Sequence, residues 1–261
     1  MSAAIATSLR GASVGYGGKA VVDEIDIELP LGRTLALVGT NGSGKTTILK
    51  SLAGLIPPCR GTIEVLGRLP GGGPAEVAYL SQFHTNSLLL PIRAGEVVRM
   101  GRFAGKGIIG RLGPADHAAV REALLRMGVL ELATTPLRDL SGGQQQRIFI
   151  AQALARQARL LLLDEPAAGL DAAARQRLNE TIAAERERGA AVVVATHDIG
   201  DAMQADLVLL LARRVVAFGP PSTVLTPDAL LATFGLAIRS IEGGLLVMDT
   251  GHGHGHDDPM R

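Results

Sequence analysis

A nine-residue glycine-rich segment constrains the fold of this chain more than any other feature. Residues 39–47 read GTNGSGKTT and match the pattern G-x-x-x-x-G-K-[ST]. An apolar run of strand length precedes the segment at residues 33–38, and a helical pattern follows it at residues 46–53 and ends at Gly54. This strand–loop–helix order is the context in which the motif binds phosphate, because glycines admit a close backbone approach and a helix N-terminus attracts anions.

The residue types within this segment predict a nucleotide site. Consecutive backbone N–H groups can wrap a polyphosphate where no side chain intervenes. We expect Lys45 to reach the β- and γ-phosphates and the Thr46 hydroxyl to ligate Mg²⁺. A chance match is the alternative, although the chain contains only four lysines. The predicted nucleotide-binding residues of the segment are Gly39, Thr40, Asn41, Gly42, Ser43, Gly44, Lys45, Thr46 and Thr47.

Composition limits the kind of protein that this can be. The chain has 261 residues, 47% of them hydrophobic, which is enough for one large domain or for a domain with a lobe. Its net charge of +1 argues against binding nucleic acid by phosphate neutralisation. The single cysteine, Cys59, excludes an internal disulfide and fits a reducing compartment. We see no signal-peptide pattern and no apolar run near the roughly 18 residues of a membrane span, so we expect a cytoplasmic location.

Apolar runs of strand length alternate with helical patterns along most of the chain. Unbroken apolar runs at residues 77–80, 160–163 and 190–195 predict buried parallel strands. Alternating runs at residues 9–14 and 21–29, joined by glycines, predict a hairpin. The predicted fold class is therefore α/β, with a P-loop NTPase-type mostly parallel sheet core and an antiparallel β subdomain.

Residues 83–140 depart from this alternation. They contain helical patterns at residues 94–102 and 115–127 and no strand-like run of length, which predicts an inserted helical lobe. Further helices are predicted at residues 144–156 and 172–188 and, as short segments, at residues 220–239.

Two carboxylates follow the buried strand predicted at residues 160–163. Such a strand end, taken alone, usually only meets solvent. After a phosphate-binding loop, however, Asp164 is placed to hold Mg²⁺ and Glu165 to act as the general base that polarises the attacking water.

The pentapeptide LSGGQ at residues 140–144 is the third motif. Ser141 is predicted to be the N-cap of the following helix, and the two glycines leave backbone N–H groups exposed at its start. Locally, an anion-binding helix end and a plain capped helix start fit these residues equally well.

Taken in order, these motifs resemble the ATP-binding subunits of ABC transporters. The P-loop is followed by Gln82 after a strand, by LSGGQ, by the Asp-Glu pair and by His197 after another strand. The resemblance covers most of the chain, and the pentapeptide is its most specific part. It implies an ABC ATPase domain at residues 8–239 with its helical lobe at 83–140, followed by a flexible His-rich tail at 240–261.

The resemblance also implies roles for single residues. Tyr16 would stack on adenine, Gln82 would sense Mg²⁺, and His197 would contact the γ-phosphate. Asp171 matches the loop that crosses a dimer interface, where Gly169 replaces the usual alanine. The implied catalytic residues are Glu165, His197, Lys45 and Gln82, and the implied metal ligands are Thr46, Gln82 and Asp164. The residues implied to bind ATP held by a second copy are Ser141, Gly142, Gly143 and Gln144.

The implied assembly is a head-to-tail dimer that sandwiches two ATP molecules. The helical lobe would dock integral-membrane permease subunits, which would hold the chain at the inner face of the cell membrane. A substrate-binding protein would be an indirect partner, and nucleic acid is not expected as one.

Two features bear on the transported solute. The segments VVRMGRF at residues 97–103 and RIFIAQAL at 147–154 resemble the zinc/manganese branch of importers, with the iron-chelate branch as a close alternative. The segment GHGHGHDD at residues 251–258 offers imidazoles and carboxylates for Zn²⁺ or Ni²⁺, although a solvated end or a cloning remnant has the same composition.

Two other classes remain open. A non-transport cassette would usually carry two cassettes or long coiled coils. An exporter would usually be fused to membrane helices, although exporters with separate subunits exist.

Overall fold

The structure, a computed structural model, describes residues 4–72, 74–82, 92–106, 110–235, 237–241 and 244–248. The strands in these ranges are β1 (Ile5–Tyr16), β2 (Lys19–Pro30), β3 (Thr34–Gly39), β4 (Arg60–Val65), β5 (Val77–Leu80), β6 (Leu160–Asp164), β7 (Ala191–Thr196), β8 (Leu207–Leu211), β9 (Val215–Gly219), β10 (Ala237–Ile241) and β11 (Gly244–Met248). The helices are α1 (Lys45–Leu52), α2 (Ala94–Met100), α3 (Pro114–Arg126), α4 (Gly142–Ala155), α5 (Ala172–Glu187), α6 (Ile199–Met203), α7 (Pro221–Val224) and α8 (Pro227–Phe234).

A six-stranded sheet forms the centre of the molecule, in the order β5-β6-β7-β3-β8-β9. Neighbouring strands from β5 to β8 are parallel, and β9 pairs with β8 in the antiparallel direction. Strands β3, β6 and β7 are buried along their whole length, which is why their sequences are unbroken apolar runs. The predicted mostly parallel α/β core is confirmed.

A second, antiparallel sheet has the order β2-β1-β4. The β1–β2 hairpin turns through Gly17 and Gly18, whose φ angles of 58° and 77° lie in the left-handed region that glycine adopts without strain. The predicted antiparallel subdomain is confirmed, and its two hairpin strands are longer than the apolar alternation alone indicates.

The two faces of the central sheet pack in different hydrophobic cores, and a third, smaller core contains Ala36 and Val38 of β3. Leu160 and Leu162 of β6 pack in the core shared with β1, β2 and α1. Leu161 and Leu163 point to the other side and pack with α2, α3 and α4. Because successive strand residues face opposite sides of a sheet, one apolar strand anchors both the antiparallel subdomain and the helical lobe.

The described part of the helical lobe contains α2 and α3 and short helical turns, as predicted, whereas residues 83–91 lie outside the described residues. The helices predicted at residues 220–239 are α7 and α8, but α8 ends at Phe234 and is capped by Gly235, whose φ of 68° is left-handed. The prediction is wrong beyond that point, because β10 and β11 pair there as a hairpin.

Three further observations concern the C-terminal segment of the chain and the absence of membrane spans predicted from the sequence. The segment expected to be a flexible tail from residue 240 begins inside the β10–β11 hairpin. The His-rich residues 251–258 lie outside the described residues. Within the part of the chain that the structure describes, no helix is long and apolar enough to cross a membrane.

Candidate functional site

The central sheet brings the predicted site residues to one edge. The P-loop follows β3, Asp164 ends β6, His197 follows β7 and Gln82 follows β5. These strands run parallel in the order β5-β6-β7-β3, so their carboxyl ends lie side by side. Open α/β sheets bind ligands at this edge.

Two glycines of the P-loop are required by close packing. A Cβ on Gly39 would lie 2.2 Å from the carbonyl oxygen of Leu211. A Cβ on Gly44, whose φ is 110°, would lie 2.1 Å from Cγ2 of Val22. The loop is therefore held from β8 on one side and from β2 on the other, immediately before α1 begins at Lys45.

Lys45 is buried at the centre of the site. Its Nζ donates hydrogen bonds to the carbonyl oxygens of Gly39, at 2.7 Å, and Thr40, at 3.1 Å. It also lies 3.5 Å from Oε1 of Glu165. Residues 41–47 of the P-loop, together with Gln82 and Glu165, line a cleft of about 360 Å³, so the ammonium group, the loop amides and the carboxylate face the same space.

Glu165 bridges Lys45 and His197. Its Oε2 lies 2.9 Å from Nδ1 of His197, and the side chain of Glu165 is 10% exposed against 67% for the histidine. The backbone of Glu165 has a φ of 49°, which is uncommon for a residue with a side chain, and its N–H donates to the carbonyl of Ala195 at 3.0 Å. Strained backbone of this kind is concentrated at functional sites.

Asp164 is fully buried beside the P-loop helix. Neither of its carboxylate oxygens makes a hydrogen bond of normal geometry to a described residue. Burial raises the pKa of Asp164, and the Glu165 charge adds to this, while the nearby Thr46 hydroxyl and the Lys45 ammonium lower it. A buried carboxylate with unused acceptor capacity beside a hydroxyl is a donor set that suits a hard divalent cation.

The LSGGQ motif forms the start of α4. The hydroxyl of Ser141 accepts from the N–H of Gln144 at 3.3 Å, and Oε1 of Gln144 accepts from the N–H of Ser141 at 2.8 Å. This capping box confirms Ser141 as the N-cap. In the described residues the motif does not line the P-loop cleft, so one chain does not bring the two predicted phosphate-binding features together.

Asp171 and Tyr16 are not among the described residues that line the P-loop cleft. Asp171 is the N-cap of α5, and its Oδ1 accepts from the N–H of Ala174 at 2.8 Å. The preceding Gly169 has a φ of 71°, which accounts for glycine where alanine was expected. The ring of Tyr16 is half exposed, and Nζ of Lys50 lies over it at 5.9 Å from its centroid.

A polar network around His197 was not found by sequence analysis. Nη1 of Arg175 lies 2.7 Å from Oδ2 of Asp198, and the hydroxyl of Thr196 donates to Oδ2 of Asp201 at 3.3 Å. Asp198 could have been noticed as the neighbour of His197. Arg175 carries no such signal, because it lies 23 positions earlier in the chain.

Comparison with known proteins identifies the family. Residues 22–168 match the family model described as ABC transporter. The manganese transport system ATP-binding protein MntB of Bacillus subtilis is 35% identical over 228 residues, which cover 87% of this chain and 91% of that protein. The hemin import ATP-binding protein HmuV of Streptomyces coelicolor is 43% identical over 220 residues, covering 82% of this chain and 78% of that protein.

A solved structure agrees with this family assignment. It is described as an inward-facing conformation of a metal-chelate type ABC transporter, and one of its chains superposes with a TM-score of 0.79 at 27% identity, covering 94% of this chain and 98% of that chain. The family resemblance drawn from the motifs is thus confirmed. This chain belongs to the ABC transporter family, as one of its ATP-binding, ATP-hydrolysing subunits.

Proposed function

We propose that this chain energises the import of a divalent metal ion, zinc or manganese, through a separate membrane permease at the cytoplasmic face of the membrane. A substrate-binding protein would deliver the solute to that permease. The similarity to MntB and to the zinc transport system ATP-binding protein TroB of Treponema pallidum, 34% identical over 238 residues, supports the choice of solute.

The observation that carries the catalytic part of the proposal is the placement of Glu165 between Lys45 and His197. Lys45 and the P-loop amides would bind the β- and γ-phosphates of ATP. The Glu165 carboxylate would orient a water molecule and accept its proton, while His197 would contact the γ-phosphate.

Mg²⁺ would be held by Thr46, Asp164 and Gln82. The buried, unsatisfied carboxylate of Asp164 beside the Thr46 hydroxyl fits an oxygen-ligated cation, and Gln82 lines the same cleft as the P-loop. When bound, the ion would neutralise charge on the phosphate oxygens.

A second copy of the chain would complete the site. The signature residues 141–144 do not line the P-loop cleft of their own chain, and they offer a helix N-terminus to phosphate charge. ATP would therefore favour the closed dimer, since only there does each signature meet the γ-phosphate. Asp171 would cross the interface beside it, and Tyr16 would stack on adenine.

Glu165→Gln tests this assignment. We expect turnover to fall by about 10²–10⁴-fold, with ATP affinity retained, because the amide cannot accept the water proton. The variant should also elute as an ATP-dependent dimer. Glu187→Gln, at an exposed position in α5, is the matched control. Turnover close to the unmutated rate would remove Glu165 from the role of base.

Import of hemin or another iron chelate is the second candidate, since the relative with 43% identity is a hemin import ATP-binding protein. Deleting the gene and measuring uptake of labelled Zn²⁺, Mn²⁺ and hemin separates the two. Loss of Zn²⁺ or Mn²⁺ uptake that the wild-type chain restores and the Glu165→Gln chain does not restore supports metal import. Loss confined to hemin would replace that proposal.

A further inference from the structure

We propose that Arg175 is a positioning residue that ties the interface loop at Asp171 to the segment carrying His197. The inference rests on the proposed function, because it takes His197 to act on the γ-phosphate within a closed dimer. It assigns to Arg175 the coupling of dimer closure to the placement of that histidine.

One end of this link is the first turn of α5. Asp171 caps the helix, and the N–H of Arg175 donates to the carbonyl of Asp171 at 2.9 Å. The guanidinium then leaves the helix and reaches Oδ2 of Asp198 at 2.7 Å. Any shift of the Asp171 loop that moves the first turn of α5 therefore pulls on the residue that follows His197.

The other end is a segment whose polar groups are otherwise tied to α6. Oδ1 of Asp198 accepts from the N–H of Gly200 at 2.7 Å. The Thr196 hydroxyl accepts from the N–H of Asp198 at 3.0 Å and donates to Asp201. These bonds fix the residues on both sides of His197 and leave its ring free to reach Glu165. Arg175 links Asp198 of this segment to α5.

Arg175 also stabilises the charged form of Asp198, the residue next to His197. Burial alone would raise the pKa of Asp198, but the Gly200 amide and the Arg175 guanidinium bring it below its ordinary value. Arg175 lines the same cleft of about 330 Å³ as Glu165, His197 and Asp198. Without its guanidinium, Asp198 loses its cationic partner, and the segment at His197 loses this ion pair to α5.

The test compares Arg175→Ala and Arg175→Lys with the unmutated chain. The Arg175–Asp198 pair is about 40% exposed on each side, so its loss should change the melting temperature little. We expect Arg175→Ala to lower kcat about tenfold, because small misplacements of catalytic groups slow turnover strongly, while KM for ATP stays within about twofold. Lysine should restore part of kcat.

Arg33→Ala is the matched control. Nη1 of Arg33 lies 2.7 Å from Oδ1 of Asp206, an ion pair of the same type and length. It lies at the amino end of β3, away from the site, so kcat should remain unchanged.

Arg175→Ala in a His197→Ala background tests whether Arg175 acts through His197. Single-turnover rates at high protein concentration keep this background measurable. If Arg175 acts through His197, Arg175→Ala slows the unmutated chain and has no further effect without the histidine. An equal slowing in both backgrounds, or no slowing of the unmutated chain, overturns the inference and leaves the proposed function standing. A His197→Ala chain with full activity would overturn the proposed role of His197 and the inference with it.

Discussion

Replacing Gly44 with alanine tests whether the P-loop is held in shape by the neighbouring β2 strand. Gly44 has a φ of 110°, and an added Cβ would lie 2.1 Å from Cγ2 of Val22. The left-handed backbone costs a residue with a side chain about 1–2 kcal/mol. The overlap adds about 1–3 kcal/mol if it resembles other overpacked cores. Gly44→Ala should therefore lower the free energy of unfolding by about 2–5 kcal/mol.

Thermal unfolding measures this loss. For a domain of this size we expect the melting temperature to fall by roughly 5–15 °C. ATP affinity should fall as well, because α1 starts at the next residue and its N–H groups would move with the loop.

A double substitution separates the two contributions. Val22→Ala removes the clashing methyl group, so adding Gly44→Ala in that background should cost only the backbone strain of about 1–2 kcal/mol. Gly17→Ala is the control for strain alone, because Gly17 has a φ of 58° and no atom lies within 4 Å of its added Cβ. If Gly44→Ala costs as much without the Val22 methyl as with it, the contact with β2 is not what constrains the loop.

The remaining predictions concern the buried carboxylate, the adenine contact and the tail. Burial raises the pKa of Asp164 in the folded chain. The stability that protonated Asp164 contributes is therefore fully present below the unfolded-state pKa and is lost as pH rises through the folded-state pKa. Asp164→Asn should have a higher melting temperature than the unmutated chain at neutral pH and the same melting temperature at acidic pH, and it should hydrolyse ATP poorly. A melting temperature no higher at neutral pH would contradict this. Tyr16→Ala should weaken ATP binding about 2–10-fold and leave triphosphate binding unchanged, whereas Tyr16→Phe should retain stacking. A calorimetric titration in which the binding of ATP and of triphosphate is weakened equally would exclude the stacking role of Tyr16. Removing residues 249–261 should abolish Zn²⁺ binding, because the described residues contain no cluster of three or more His, Cys, Asp or Glu side chains suited to a metal; unchanged zinc titration would refute it.

The sheet was predictable where burial is complete. Strands β3, β6 and β7 are buried on both faces, so their unbroken apolar sequences could be assigned without tertiary information. The end of the chain was harder, because the β10–β11 hairpin pairs mainly with itself and its pattern is short. Gly235 was an available stop signal for α8 that the prediction did not use.

The site was predictable in its motifs but not in its geometry. The P-loop, the Asp-Glu pair and His197 are recognisable because each follows a strand. The sequence contains no sign that Glu165 adopts a φ of 49°, which turns its carboxylate toward Lys45 and His197. That orientation depends on the hydrogen bond from its N–H to a carbonyl of the neighbouring strand β7.

Two separate reasons favour glycine at Gly142 and Gly143 of the signature: the proposed binding of phosphate and, for Gly143, packing within the chain. The capping box already engages the N–H groups of Ser141 and Gln144, which leaves Gly142 and Gly143 as the donors that the helix start can offer to phosphate. A Cβ on Gly143 would also lie 2.9 Å from the carbonyl oxygen of Gly169, in the loop that leads to α5. Glycine at position 143 is therefore demanded by packing inside one chain, whatever the signature binds. In the proposed dimer, the closeness of Gly143 to Gly169 would present the signature and the interface loop to a second chain together.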